Sequence, residues 1–450
     1  GINQLNRLIF LYNWLYEIVM GRKKVDNEEE NQINYNTDQR PTKKQKRNSL
    51  IIMLIWLLIF VLICFSIYKL AMYTIGKSDK DSVPLYNAIS SIVSLVHDRG
   101  PATTEEKHVV KFAGVGDIYA TSNTLRGSKV SNTYDFTTGT ESIQEKLKEF
   151  DFVVGSLNTP VAGSELGYST TKTYNTPVEI LDTIQKLNIS ALATATSHSM
   201  DKKQEGVLNT IENLETKGIK YTGTNKSQEK SYLILEKNNI KIGVLSYTTE
   251  SNIKMSDDET YLVNVLTDES LTQDVKYLKD QNVDFIVAYL CCPNEDSTLT
   301  NNVQKENADK LFDAGVNIVL GTGSKVVQGY YEDQIEISGS EEKSHVYAIY
   351  SLGDLIGSYE TDDNLVSVIA NIEFEKDIVK NRKGEVIKET KDFKVNLPIS
   401  TFAKVTSSYS STLYLLDDAM EKYNTDSDEF TAGEYEIISD ASERIKKLFE

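Results

Sequence analysis

The chain of 450 residues holds three cysteines and four histidines, and most of its length is short of basic residues. Cys64 lies in an apolar run. Cys291 and Cys292 are adjacent, where a mutual disulfide would be strained, so no disulfide framework is implied. Residues 1–75 carry 10 Lys/Arg against 6 Asp/Glu, which leaves 38 against 60 for residues 76–450 and a net charge of −22 there. A region that acidic excludes a nucleic-acid partner, because neutralising phosphates requires a basic face. A hydrophobic content of 40% is that of a globular protein, and the length allows two or three domains or one large α/β domain with appendages.

Charge is also missing from Ser49–Tyr68, a run of Leu, Ile, Phe and Trp long enough to cross roughly 30 Å of hydrocarbon as a helix. It lacks a small-residue cleavage site and lies too far from either plausible start for a removable signal peptide. Lys43–Arg47 precedes it directly, whereas Lys69, Lys77 and Lys80 after it are mixed with Asp79 and Asp81. The bias puts the N-terminus in the cytoplasm and everything after about residue 73 outside. The expectation is a cytoplasmic, unstructured tail over 1–48, a signal anchor over 49–73 and a stem over 74–107. Met20 reads as a natural start; residues 1–19 are then upstream sequence, the preferred reading, or an amphipathic helix on the membrane surface.

From His108 onward, strand-like and helix-like segments alternate. Val109–Val115 ends in Gly116-Asp117, a buried strand with an aspartate at its carboxyl end. Strands are predicted at 152–155, 189–195, 241–246, 283–290, 316–320 and 346–352. Helices are predicted at 177–187, 202–217, 271–281 and 301–314. This alternation argues an α/β protein around a central sheet. The polar clusters fall at strand ends: Asp117, Ser156-Leu-Asn158, Thr196-Ser-His198, Cys291-Cys-Pro-Asn294, Gly321-Thr322-Gly-Ser-Lys325 and Ser351-Leu-Gly-Asp354. Such loops converging on one rim make a site. His198, with Asp201 at or near the cap of the following helix, is either part of it or a loop histidine bonded to backbone. Further on, 371–395 reads as a hairpin turning at Asn381–Gly384. Residues 407–423 and 432–450 read as amphipathic helices, with 425–436 a solvated acidic linker.

The order and spacing of these loops resemble the capsule-synthesis CapA family, relatives of the calcineurin-like metallophosphatases. The family's Gly-Asp stands here as Gly116-Asp117, and its Asn-Leu-Glu-Thr-Pro as Ser156-Leu-Asn158-Thr159-Pro160. Its Ala-Asn-Asn-His-x-x-Asp stands as Ala195-Thr-Ser197-His198-Ser-Met-Asp201, and its Tyr-Ser-Leu-Gly-Asn as Tyr350-Ser-Leu-Gly-Asp354. The motifs span 108–358. The resemblance implies a metallophosphatase-type sandwich, the outer domain over 108–400; the C-terminal portion falls outside it, and its own pattern gives an acidic helical extension over 401–450. It places Asp117, Asn158, Ser197, His198, Thr322, Lys325 and Asp354 in one pocket.

The departures bear on chemistry. Asn158 replaces the family's glutamate and Ser197 its ligand asparagine. The His-Trp-Gly histidine is missing near Leu290, and Gly-His-His-Pro-His has Thr322, Gly323 and Lys325 where its histidines stand. Two cations roughly 3.5–4 Å apart need more than the carboxylate and imidazole that survive, Asp117 and His198, which are then vestigial. The expectation is no metal and no other cofactor, with Lys325 pairing with Asp117 and lowering its pKa. The resemblance then implies a non-catalytic component of capsule or poly-γ-glutamate synthesis or export. It would sit in the bacterial cell membrane through 49–73 beside envelope-polymer synthase or export proteins, with its C-terminal domain extracellular. The alternative is an extracytoplasmic metal-dependent phosphoesterase with substitute ligands.

Overall fold

The computed structural model describes residues 103–336, 343–425 and 428–449, all within the compact unit Gly100–Glu450. The expected tail and membrane anchor lie outside the described residues, among which no helix is long and apolar enough to cross a membrane. In chain order the strands are β1 (Thr103–Ile118), β2 (Lys129–Val130), β3 (Thr133–Tyr134), β4 (Phe152–Leu157), β5 (Ser169–Thr171), β6 (Thr173–Asn175), β7 (Ala191–Ala193), β8 (Lys220–Thr222) and β9 (Leu233–Lys237). They continue as β10 (Ile240–Thr248), β11 (Phe285–Cys291), β12 (Ile318–Thr322), β13 (Tyr330–Glu336), β14 (Lys343–Ile349), β15 (Asp354–Ile356), β16 (Val366–Asn381), β17 (Val386–Val405) and β18 (Ser411–Leu415). The helices are α1 (Ser122–Gly127), α2 (Glu141–Leu147), α3 (Ile180–Lys186), α4 (Lys203–Thr216), α5 (Asp268–Asp280), α6 (Asn302–Ala314), α7 (Leu416–Thr425) and α8 (Ala432–Phe449).

Two sheets carry the fold. One runs β18-β17-β16-β1-β4-β7-β8, with β15 also on β1; the other runs β13-β14-β12-β11-β10-β9. The strand period of two decides what each face buries. Val110 and Phe112 of β1 join Val287 and Tyr289 of β11 in the core between the sheets, while Ala113 and Val115 turn to a second core with Ile143 and Ile184 of α2 and α3. On the second sheet Ile286, Ala288 and Leu290 face Leu278 of α5 and Leu311 of α6. The result is two packed sheets with helices on both outer faces. Tyr289 ties the sheets by donating its hydroxyl to the Val154 carbonyl at 2.5 Å.

The parallel strands β1, β4, β7, β10, β11 and β12 explain the continuous apolar runs in the sequence, being buried on both faces. The expected helices 202–217 and 301–314 appear as α4 and α6. The second is fixed by a capping box in which Asn301 and Gln304 exchange hydrogen bonds. The hairpin over 371–395 appears as β16 and β17 joined at Arg382–Glu385.

Several expectations change. The first strand starts inside the expected stem, because Thr103–Lys107 pair with Asp377–Asn381 of β16. The stretch 411–415 is not helical: it pairs with Thr401–Val405 as β18, burying Leu413, and the helix begins only at Leu416. Nor is 425–436 only a solvated linker. Phe430 is buried against Phe402 and Tyr414, and Glu434 caps the Thr431 N–H at the start of α8. Ile438, Ala441, Ile445 and Phe449 of α8 join the same core as Phe402 and Val327.

Candidate functional site

The carboxyl ends of the parallel strands meet on one rim. Asp117 lies opposite Ser156 of β4 on one side and Asp354 of β15 on the other. This triple register depends on Gly116, where an added Cβ would stand 1.8 Å from the Gly353 carbonyl oxygen.

Asp117 is 1% exposed and surrounded by donors. Ser156 Oγ donates to Oδ1 at 2.5 Å, while Asn158 Nδ2 (3.3 Å) and the Gly323 N–H (2.9 Å) donate to Oδ2. Burial nonetheless dominates and pushes Asp117 up to about 6, against the opposing effects of these donors and of His198. Asp354 is pushed well above the carboxylate range, first by burial and then by the charge of Asp117. It accepts from the Tyr119 hydroxyl at 2.7 Å. Both carboxyls of the rim are thus raised, Asp354 the further of the two.

His198 faces this pair from the β7 loop. Asp201 does not cap α4, whose first residue is Lys203 and whose cap position, Lys202, makes no side-chain capping bond. Its buried carboxylate turns back instead, taking His198 Nδ1 at 2.7 Å, the Tyr174 N–H at 2.6 Å and Asn252 Nδ2 at 2.7 Å. The ring is stacked on Tyr174 at 4.1 Å, and Tyr174 on Tyr119 at 5.4 Å. An aromatic ladder therefore links His198 to Asp354. Ser197 bonds the buried Cys291, whose thiol burial pushes up to about 12 and leaves inert.

The expected Lys325–Asp117 pair is overturned. Lys325 Nζ bonds Glu295 at 2.9 Å, in the loop after β11, and Asp117 is raised rather than lowered. The cause is local: Gly323 turns at φ +90° and Lys325 itself sits at φ +64°, which presents the Gly323 N–H to Asp117 and sends the lysine toward the outer loop. Its charge still acts on Asp354 and Tyr174. The structure thus brings together Asp117, Asn158, His198 and Asp354, with the Gly323 N–H beside Thr322, Ser197 behind at Cys291 and Lys325 at the edge. Tyr119, Tyr174 and Glu295 were missed. Tyr119 lies just past the end of β1, after a register shift at Asp117/Ile118, so alternation does not place it; Tyr174, on the small β5–β6 hairpin, has no local signal either.

A two-metal phosphatase centre needs several free carboxylate and imidazole donors. Here the oxygens of Asp117 already accept from three hydrogen-bond donors, and His198, oriented through Nδ1 by Asp201, has only Nε2 to offer. Among the described residues no three His, Cys, Asp or Glu are placed to share a metal ion. This donor set does not fit a metal pair. The buried Asn158 Oδ1 and Asp354 Oδ1 have no hydrogen-bond partner among the described residues, which leaves two unsatisfied polar atoms at the rim.

The model of the family described as bacterial capsule synthesis protein PGA_cap matches residues 111–359. No curated protein matches the chain. Among solved structures, a 5′-nucleotidase precursor from Thermus thermophilus is 13% identical with a TM-score of 0.37, over 64% of this chain and 54% of its own. The sulfate thiohydrolase SoxB from the same organism is 10% identical with a TM-score of 0.29, over 56% of this chain and 42% of its own. The chain thus spans about half the length of these two. The calcineurin-like phosphoesterase YfkN from Bacillus subtilis is 15% identical with a TM-score of 0.36, over 64% of this chain and 91% of its own.

Proposed function

The chain belongs to the bacterial capsule synthesis family PGA_cap, and we propose that within capsule biosynthesis it is a non-catalytic component anchored outside the cytoplasm. The observation that carries this reading is the surroundings of Asp117: Ser156, Asn158 and Gly323 already donate to its two oxygens. A carboxylate so engaged offers a divalent cation little, and no metal or other cofactor is part of this reading. The rim then serves as a binding or docking surface in synthesis or export of an envelope polymer, poly-γ-glutamate being the polymer the family resemblance suggests. Envelope-polymer synthase or export proteins are the partners this reading expects, with the apolar run Ser49–Tyr68 as anchor.

A second reading rests on the Asp201–His198 pair. A histidine held by a buried carboxylate is oriented as acids and bases are in enzymes, which favours an extracytoplasmic phosphoesterase with substitute ligands. Two measurements separate the readings. Elemental analysis of the purified full chain should find less than stoichiometric zinc or manganese, and His198→Gln, which keeps a polar side chain on the rim but no imidazole for proton transfer, should restore surface polymer in a deletion strain. Stoichiometric metal together with a dead His198→Gln strain would establish the second reading instead.

A further inference from the structure

The outer edge of β17 is open over most of its length. β18 covers only Thr401–Val405, and among the described residues no strand pairs with that edge over residues 386–400. An open edge presents unpaired N–H and C=O groups to any other strand, and lysines on it normally repel such pairing. Lys388, Lys391 and Lys394 are there, but so are Glu389 and Asp392, and the order of these charges is specific.

We propose that β17 pairs with β17 of a second copy, antiparallel and centred on Thr390, making a symmetric dimer with one continuous sheet. In that register Lys388 of each copy faces Asp392 of the other, which forms two opposite-charge pairs across the two-fold axis, while Glu389 and Lys391, already paired with each other and Lys391 with Asp284 at 2.8 Å in each chain, meet opposite charges there and no like ones. Ile387, 56% exposed in the single chain, is the extra residue of a bulge against β16, so regular pairing starts at Lys388. Centring the pairing on Glu389 would oppose that glutamate to itself, and centring it on residue 391 would oppose Lys388 to Lys394. The lysines thus block neighbouring registers while admitting this one. The backbone fits. The Phe393 N–H is held by the Asp392 carboxylate at 2.8 Å rather than by a strand, which points odd-numbered residues outward. Glu389 and Lys391 then make the main-chain bonds, and the two Thr390 residues form a non-hydrogen-bonded pair. On pairing, Asp392 exchanges its own-edge contacts, the Phe393 N–H and His345 Nδ1 (2.9 Å), for the main chain and Lys388 of the second copy.

The test uses the full-length chain, purified and in its native membrane. In a non-hydrogen-bonded pair the two Thr390 Cα atoms stand about 4.5 Å apart, within disulfide range. Thr390→Cys should therefore give a covalent dimer on mild oxidation that the parent chain does not give. Val386→Cys, on the same edge, should not join to itself, since the two Val386 residues would be ~27 Å apart. Lys388→Glu sets like charges opposite each other twice and should weaken the dimer about tenfold. Lys388→Glu with Asp392→Lys restores opposite charges within one chain and should recover it. A parent chain that sediments only as a monomer, a dimer whose residue-390 thiols fail to join, or a charge swap that fails to rescue would each overturn the proposal. Cross-linking of residue 390 to a different protein in place of a second copy would overturn it too. None of these readouts depends on what the rim binds.

Discussion

Asp117 ends β1 with its carboxylate walled off from water, and its titration can be followed through folding. Its ordinary value near 3.8 rises to about 6 in the folded chain. Between those values the folded state binds more protons than the unfolded state, so stability falls as pH rises. The contribution is fully present below about pH 4 and lost as pH passes through about 6; at roughly 1.4 kcal/mol per unit it is on the order of 2–3 kcal/mol. Asp117→Asn cannot ionise. The urea-unfolding free energy of wild type minus that of Asp117→Asn should therefore drop by that amount from acid to mildly alkaline pH. The misplaced amide N–H of asparagine adds a penalty independent of pH, and because the charge of Asp117 also raises Asp354, the slope reports the pair. A flat or rising difference would contradict the buried, uncompensated carboxylate. Lys325 should behave as an edge residue. Glu295 is half exposed, so Lys325→Met should cost about 0–1 kcal/mol in the same assay, the range of surface pairs, and not the loss expected of a buried one. Lys325→Gly should be no worse, because glycine relieves the left-handed backbone at φ +64°.

At the scale of strands and helices, one methyl group should have opposite effects at two glycines. Gly116→Ala drives a Cβ into the Gly353 carbonyl and must part β1 from β15, which separates Asp117 from Asp354; a loss of about 3 kcal/mol or more is expected. Gly433→Ala meets nothing within 4 Å in the first turn of α8 and should stabilise by about 0.5–1 kcal/mol. Thermal unfolding of the two variants checks both signs. This contrast also marks what could be read from the sequence. The Gly-Asp pair, the apolar parallel strands and the capped helix α6 show themselves through periodicity and local chemistry, which act within a few residues. The pairing of 411–415 with β17 and the burial of Phe430 do not, because a short segment of mixed pattern takes the conformation of the surface it lands on. The same holds within the site. Asp117, Asn158, His198 and Asp354 sit at strand ends and could be placed by position, while the direction of Lys325 follows from two left-handed residues that no spacing reveals. Nor does any local pattern bring Tyr174 onto His198, since that contact joins a hairpin to a distant loop.

For the whole molecule, the uneven charge argues where each part lies. Ten basic residues against six acidic ones precede residue 76, while the remainder carries a net charge of −22, and the basic cluster 43–47 abuts the uncharged run Ser49–Tyr68. Under the proposed anchoring, basic residues next to a span stay in the cytoplasm, whereas a large acidic domain crosses largely regardless of its charge. β1 is paired to β16 from Thr103 onward, which protects the chain from there on, so proteolysis should not pass that point. Protease added to cells stripped of wall should release a fragment beginning between residues 76 and 103 and ending at the C-terminus. It should leave behind a short membrane-bound piece that an antibody to residues 21–48 detects only after the cells are opened. A domain fully protected in sealed cells, with the tail degraded from outside, would invert the orientation. The site would then face the cytoplasm, where it could act on precursors but could not meet a polymer already outside.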